Sequence, residues 1–192
     1  MKLVEIKNWS DERLITQNEP SRNGYNAMIV EELFERIKRG ILKKDIFQEV
    51  DAICDVSVFA IGEIYKYGID AQDLLGYGDI KDWIYNTNDE LINTLKENGI
   101  DYTSRIVYYL GEFLESEDDG GKITAMANMV VDSYKKLYEI KFDADKCMDE
   151  VMLELNSRTG EYSEETKKWQ KFKTPEAQAL WYTADFSNCG VS

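Results

Sequence analysis

An all-α fold is what this chain predicts, on three observations. Leu, Ile, Lys and Glu recur at three-to-four-residue spacing, there are only two prolines, and the twelve glycines are scattered. With 192 residues and 43 % hydrophobic content, the chain is long enough for one compact domain or for two small halves packed on each other. Almost no sheet is expected.

Taken in order, residues 10–19 read as a short helix, followed by a break over 19–24 where proline and glycine interrupt the pattern. The next helix starts near Tyr25, with Met28, Ile29, Val30, Leu33, Phe34 and Ile37 read as its apolar face and Gly40 as its stop. A third runs from about Lys44 to Tyr67, with Phe47, Val50, Cys54, Val58, Ile61 and Tyr65 on one side and Gly68 as C-cap. Beyond Gly76 and Gly78, Thr87 and Glu90 have capping-box spacing ahead of a helix that Gly99 ends. Further helices are predicted over about 103–116 and 122–156, the second breaking near 141–143. From Ser157 the chain mixes Lys, Glu, Trp and Tyr without periodicity and reads as a partly ordered tail.

An internal repeat organises these elements. IYKYGIDAQDLL at Ile64–Leu75 matches LYEIKFDADKCM at Leu137–Met148, with Asp70 opposite Asp143. Upstream stand two Glu-x-x-Glu pairs, Glu32 with Glu35 and Glu112 with Glu115. The expected organisation is an internally duplicated single-chain pseudo-dimer: a first half at 1–80, a degenerate second half at 81–156, and a tail at 157–192.

The formal charge of −14 argues against a nucleic-acid partner, because binding a polyanion needs clustered Lys and Arg. A free nucleotide is compatible if a divalent cation reverses the local sign. Cys54, Cys147 and Cys189 are odd in number and far apart, which suggests no disulfide framework and fits a reducing cytosol. No apolar run has membrane-spanning length and the N-terminus lacks signal-peptide order, so a soluble cytoplasmic protein without a membrane partner is expected. The absence of histidine excludes Ser-His-Asp and Cys-His chemistry and His-bound zinc. Any catalysis falls to carboxylates, metals, lysines or tyrosines.

The carboxylates are arranged for such work. EELFE sets Glu32 and Glu35 on nearly one helix face with Glu31 beside them, and DAICD sets Asp51 and Asp55 one turn apart on the next helix. Oxygen ligands of this kind suit Mg²⁺, with Mn²⁺ as a substitute. An isolated acid on an amphipathic helix usually marks a solvated face. Asp51 and Asp55, however, lie inside the apolar stretch DAICDVSVFAIG, where an unpaired charge is costly to bury.

The stretch IVEELFERIKRGILKKDIFQEVDAICDVSVFAIGEIYKYGID, residues 29–70, resembles the core of the MazG-like and phosphoribosyl-ATP pyrophosphohydrolase superfamily. DAICD has the form of its phage-type branch, and DEVMLELNSR at Asp149–Arg158 is similar to that branch's later motif. The resemblance implies a MazG-like helical bundle that hydrolyses a nucleoside triphosphate to monophosphate and pyrophosphate, with Glu32, Glu35, Asp51 and Asp55 holding Mg²⁺. By position it places Asn156 and Arg158 toward the nucleotide, and Lys171 and Lys173 near a phosphate-contacting segment whose glycine and proline this chain lacks beside them. Glu31 or Glu35 is then the candidate to accept a water's proton. Family members commonly assemble, so a homo-oligomer is a further expectation.

The second half departs from the pattern, because Thr124 and Asn128 stand where the repeat would place Asp51 and Asp55. Tyr65, Tyr67, Trp169 and Trp181 are candidates for base stacking, with core packing as the plainer role. Two rivals are a protein of the same fold that sequesters a nucleotide without cleaving it, and an acidic interaction protein that mimics nucleic acid.

Overall fold

Thirteen of the 21 residues of Ile46–Lys66 are buried, so this helix is covered nearly all round and forms the centre of the molecule. The computed structural model describes residues 1–15, 20, 24–76, 78–166 and 168–191, with residues 78–84 given by their backbone alone. The element order is α1 (Leu3–Glu12), α2 (Tyr25–Glu35), a π turn (Arg36–Ile41), α3 (Ile46–Lys66), α4 (Ala71–Leu75), α5 (Gly78–Glu97), α6 (Tyr102–Glu115), α7 (Asp119–Glu139) and α8 (Ala144–Ser157). Then come strands β1 (Gly160–Ser163) and β2 (Lys168–Lys171), the short helix α9 (Pro175–Gln178) and a 3-10 turn (Phe186–Asn188). The fold is all-α, as expected. Its one sheet among the described residues is the antiparallel hairpin, in which Gly160 faces Lys171 and Ser163 faces Lys168.

The bundle is built on α3 packed along α7, with α2 laid on α3 and α6 on α7. Ile53, Ile61, Ile64, Met126, Met129, Tyr109 and Phe113 are all but fully buried there. Each large apolar side chain so buried contributes roughly 1.5–3 kcal/mol. Many of the acids have a local task at helix starts. Asp45, Asp70, Asp101, Asp118 and Asp143 each accept a backbone N–H of the first turn of α3, α4, α6, α7 and α8, which satisfies orphan donors and complements the helix dipole.

The two segments joined by the repeat match in geometry. Both α3 and α7 have 21 residues, offset by 73 at either end. Each is followed by one residue with positive φ, Gly68 at +73° and Lys141 at +69°, and then by an aspartate N-cap.

Several elements differ from the sequence reading. The first helix lies at Leu3–Glu12 rather than 10–19, because Leu3, Ile6 and Ser10 form its buried face and the Leu3 carbonyl accepts the Tyr65 hydroxyl at 2.7 Å. The expected break over 19–24, like residues 16–19, falls mostly outside the described residues. α5 starts at Gly78, so Thr87 is in mid-helix and its capping box is unused. The tertiary contact of buried Asn88 with Asn128 on α7 overrides the local signal.

On α2 only Ile29 and Leu33 of the six apolar positions are buried, while Met28, Val30, Phe34 and Ile37 are exposed. Adjacent residues sit about 100° apart on a helix, so 28, 29 and 30 cannot share one face. The stretch from Ser157, in which no periodicity was legible, is ordered into the hairpin, α9 and the 3-10 turn. Phe186 and Cys189 are buried, and Phe142 pairs with Gly190 in an isolated bridge.

Candidate functional site

Because α2 lies on α3, Glu32 and Glu35 face the same space as Asp51 and Asp55, and all four side chains are half-buried. Burial, then the charges of Asp51, Glu31 and Glu35, push the Glu32 carboxyl up to about 7. Burial and the charge of Glu154 push Asp51 up to about 6, against the opposing pull of Arg158. Asp55 is raised well above the carboxylate range, first by burial and then by Asp51, Glu32 and Glu154. Glu32, Asp51 and Asp55 thus lie where water is scarce and neighbouring carboxylates outweigh the cations facing them.

The cations that do face them come from two sides. Arg39, one turn beyond Glu35, binds it at 2.5 Å and acts on both Glu32 and Asp51. Arg158, the residue that caps the C-terminus of α8, pairs with Glu154 and acts on Asp51 and Asp55. The hairpin brings Lys171 close enough to be influenced by Glu154 and Asp55, and burial together with Arg158 and Lys173 lowers its affinity for its proton. Trp181 lies beside both cations, its ring centroid 5.0 Å from the Arg158 guanidinium and 5.5 Å from the Lys171 ammonium.

This strap is fixed to α8. Glu154 accepts the Ala184 N–H at 2.8 Å, Ser157 Oγ accepts the Tyr182 N–H at 2.8 Å, and Glu150 accepts the Asp185 N–H at 3.0 Å.

The structure thus brings together Glu32, Glu35, Asp51, Asp55, Arg158 and Lys171, with Lys173 exposed beyond them and Glu31 exposed beside Glu32. Asn156 is exposed on α8. Glu154 and Arg39 belong to the cluster but were not picked out from sequence. The signal was available in their i,i+4 spacing to Arg158 and Glu35. Of the aromatic candidates, Trp169 packs edge-on to Trp9 at 6.2 Å beneath Arg13, Tyr65 is tied to Leu3, and Tyr67 packs against the core. Only Trp181 adjoins the cluster.

Among the described residues, no group of three or more acidic or cysteine side chains is placed to hold a metal ion. The donor types nevertheless suit a hard divalent cation: the side chains offered are all carboxylates, and burial together with neighbouring acids raises the proton affinity of Glu32, Asp51 and Asp55. A cavity of about 410 Å³ elsewhere, lined in part by Leu75, Tyr85, Val131, Tyr134 and Tyr138, includes none of these acids. At the positions the sequence repeat relates to these acids, Glu112 and Glu115 are exposed, Thr124 donates to the Gly120 carbonyl, and Asn128 meets Asn88. No helix among the described residues is long and apolar enough to cross a membrane. Comparison of the chain with family models, curated proteins and solved structures finds no match.

Proposed function

We propose that the chain hydrolyses a nucleoside triphosphate to the monophosphate and pyrophosphate, with Mg²⁺, or Mn²⁺ in its place, held by Glu32, Glu35, Asp51 and Asp55. The observation that carries this reading is the juxtaposition of crowded acids on α2 and α3 with Arg158 at the C-terminal cap of α8 and Lys171 on β2. A polyphosphate carries negative charge that Arg and Lys can bind, and an acid cluster tolerates it only when a cation lies between them. The bound metal would supply that bridging charge and an electrophilic centre for phosphoryl transfer. Arg158 and Lys171 would hold phosphate oxygens, Lys173 would add positive potential, and Asn156 would meet the sugar or base. Glu31 or Glu35 would take the proton of the attacking water; Glu31, being exposed, is the less encumbered of the two.

Three free cysteines go with a cytoplasmic location in this reading. A homo-oligomer would cover the exposed Met28, Val30 and Phe34, and sedimentation tests it. The second reading, nucleotide sequestration without turnover, draws on Thr124 and Asn128, which deprive the second half of a matching acid pair.

The test is pyrophosphate and monophosphate release from a panel of ribo- and deoxyribonucleoside triphosphates with Mg²⁺, beside Asp55→Ala. Metal-dependent release that falls at least ~100-fold in the variant is expected, since even outer-sphere partners of metal ligands cost 10–100-fold. Binding without turnover of any nucleotide by the folded wild type would shift the assignment to sequestration.

A further inference from the structure

The three cysteines, separated in sequence by whole helices, meet in the core. Cys54 on α3 and Cys147 on α8 are fully buried, and Cys189, just past the 3-10 turn, is 3 % exposed. The Cys147 thiol interacts with both of the others. Backbone bonds independently fix Cys189 here: its carbonyl accepts the Asp143 N–H at 2.8 Å, the Cys147 N–H is bound to the Asp143 carbonyl at 3.0 Å, and the Val191 N–H reaches the Lys141 carbonyl at 2.9 Å. The chain after Phe186 is therefore stitched to the turn before α8, one helical turn from Cys147. The proposed hydrolysis uses none of these thiols.

We infer that oxidation by hydrogen peroxide joins Cys147 to Cys189 in a disulfide that fastens residues 186–191 to α8. Attack of the Cys147 sulfur on a peroxide oxygen breaks the O–O bond, giving a sulfenic acid and one water. The Cys189 sulfur then displaces the hydroxyl from that sulfur, forming the S–S bond and a second water. Two thiols lose two electrons, and the peroxide becomes two waters.

Geometry favours this pair over Cys54 with Cys147. A disulfide needs a narrow Cβ–S–S–Cβ geometry, and Cys54 and Cys147 are both held in the packed faces of long helices that do not readily shift to reach it. Cys189 lies in a short irregular segment that can adjust. The two backbone bonds of the Phe142–Gly190 bridge are what tie this segment to the turn before α8, so breaking them would expose Cys147 to a small oxidant while leaving the bundle intact. The Cys54 thiol also holds Cys147 below the ordinary thiol range, against burial and with help from Cys189, which favours the reactive thiolate.

The experiment treats the protein with hydrogen peroxide, blocks the remaining thiols and maps peptides without reduction, in the wild type, Cys54→Ala and Cys189→Ser. The expected result is a Cys147–Cys189 link in the first two, none in Cys189→Ser, reversal by dithiothreitol, and amide exchange over 186–191 slowed about tenfold or more. A Cys54–Cys147 link would overturn the inference. So would three unlinked or over-oxidised thiols in the wild type, under conditions that convert a free-cysteine peptide completely to its disulfide. The wild-type map decides even where a variant fails to fold.

Discussion

α3 and α7 are two helices of one length whose central aspartates, Asp51 and Asp55 on one and Asp132 on the other, are treated in opposite ways. On α7, Asp132 is 1 % exposed and Arg105 of α6 binds both its oxygens, at 2.7 and 2.8 Å. The charge there is answered within the protein. On α3, Asp51 and Asp55 are crowded by Glu32 and Glu154, with Arg158 as a partial counterweight already engaged by Glu154. Asp132 is spent in an ion pair, whereas α3, which pairs Glu49 with Arg36 and Glu63 with Lys66, leaves Asp51 and Asp55 crowded by other acids. A group that is only architectural gains by being paired; a group held unpaired points to a task that needs its charge.

The largest effect should come from breaking the paired side. Arg105→Ala strands Asp132 in the core and should cost about 3–5 kcal/mol in chemical denaturation; a loss under about 1 kcal/mol would show that the pair is not structural. Neutralising the unpaired side should do the reverse. Asp55→Asn removes a repelled carboxylate at nearly constant volume and should stabilise the metal-free protein by about 1 kcal/mol while abolishing metal-dependent turnover. Destabilisation by Asn would place Asp55 in a structural role like that of Asp132.

The smallest effect is in pH. Folded Glu32 and Asp51 keep their protons up to about 7 and about 6, while the unfolded chain releases them near pH 4. Between these values the folded state binds more protons, so the stability from these groups is whole below about pH 4 and is lost as pH rises through 6–7. Without metal, Tm at about pH 5 should exceed that at about pH 8 by a few degrees, and the double variant Glu32→Gln/Asp51→Asn should flatten the difference. An unchanged slope in the double variant would place the effect elsewhere.

The features legible in the sequence divide along the same line. Helical periodicity found α3, α6, α7 and α8 because their buried faces repeat at about 3.6 residues, the last two read as one stretch over 122–156 with a break near 141–143. The acids were visible as spacing within each helix. Their company was not: Glu154 and Lys171 reach the cluster only because α8 and the hairpin fold back over it, and four-residue strands leave no periodic trace. Trp169 and Trp181 look alike in sequence, yet one braces α1 and the other stands beside the cations of the cluster. The meeting of three thiols was invisible for the same reason, since contacts across whole helices are set by packing.

The π turn between α2 and the start of α3 has a consequence of another kind. Its bonds run one residue further than those of an α-helix, so Arg36–Ile41 holds a residue to spare. Gly40 inside it presses so closely on Glu49 that a Cβ there would stand 2.8 Å from the Glu49 Cβ. Arg36 anchors the joint by binding Glu49 at 2.5 Å and Thr103 at 2.6 Å. Removing a single residue from this turn would let it close as an ordinary helix and swing α3 by about 100° relative to α2. The turn thus works as a setting screw: the angle at which one pair of acids confronts the other is fixed by a residue that belongs to neither pair.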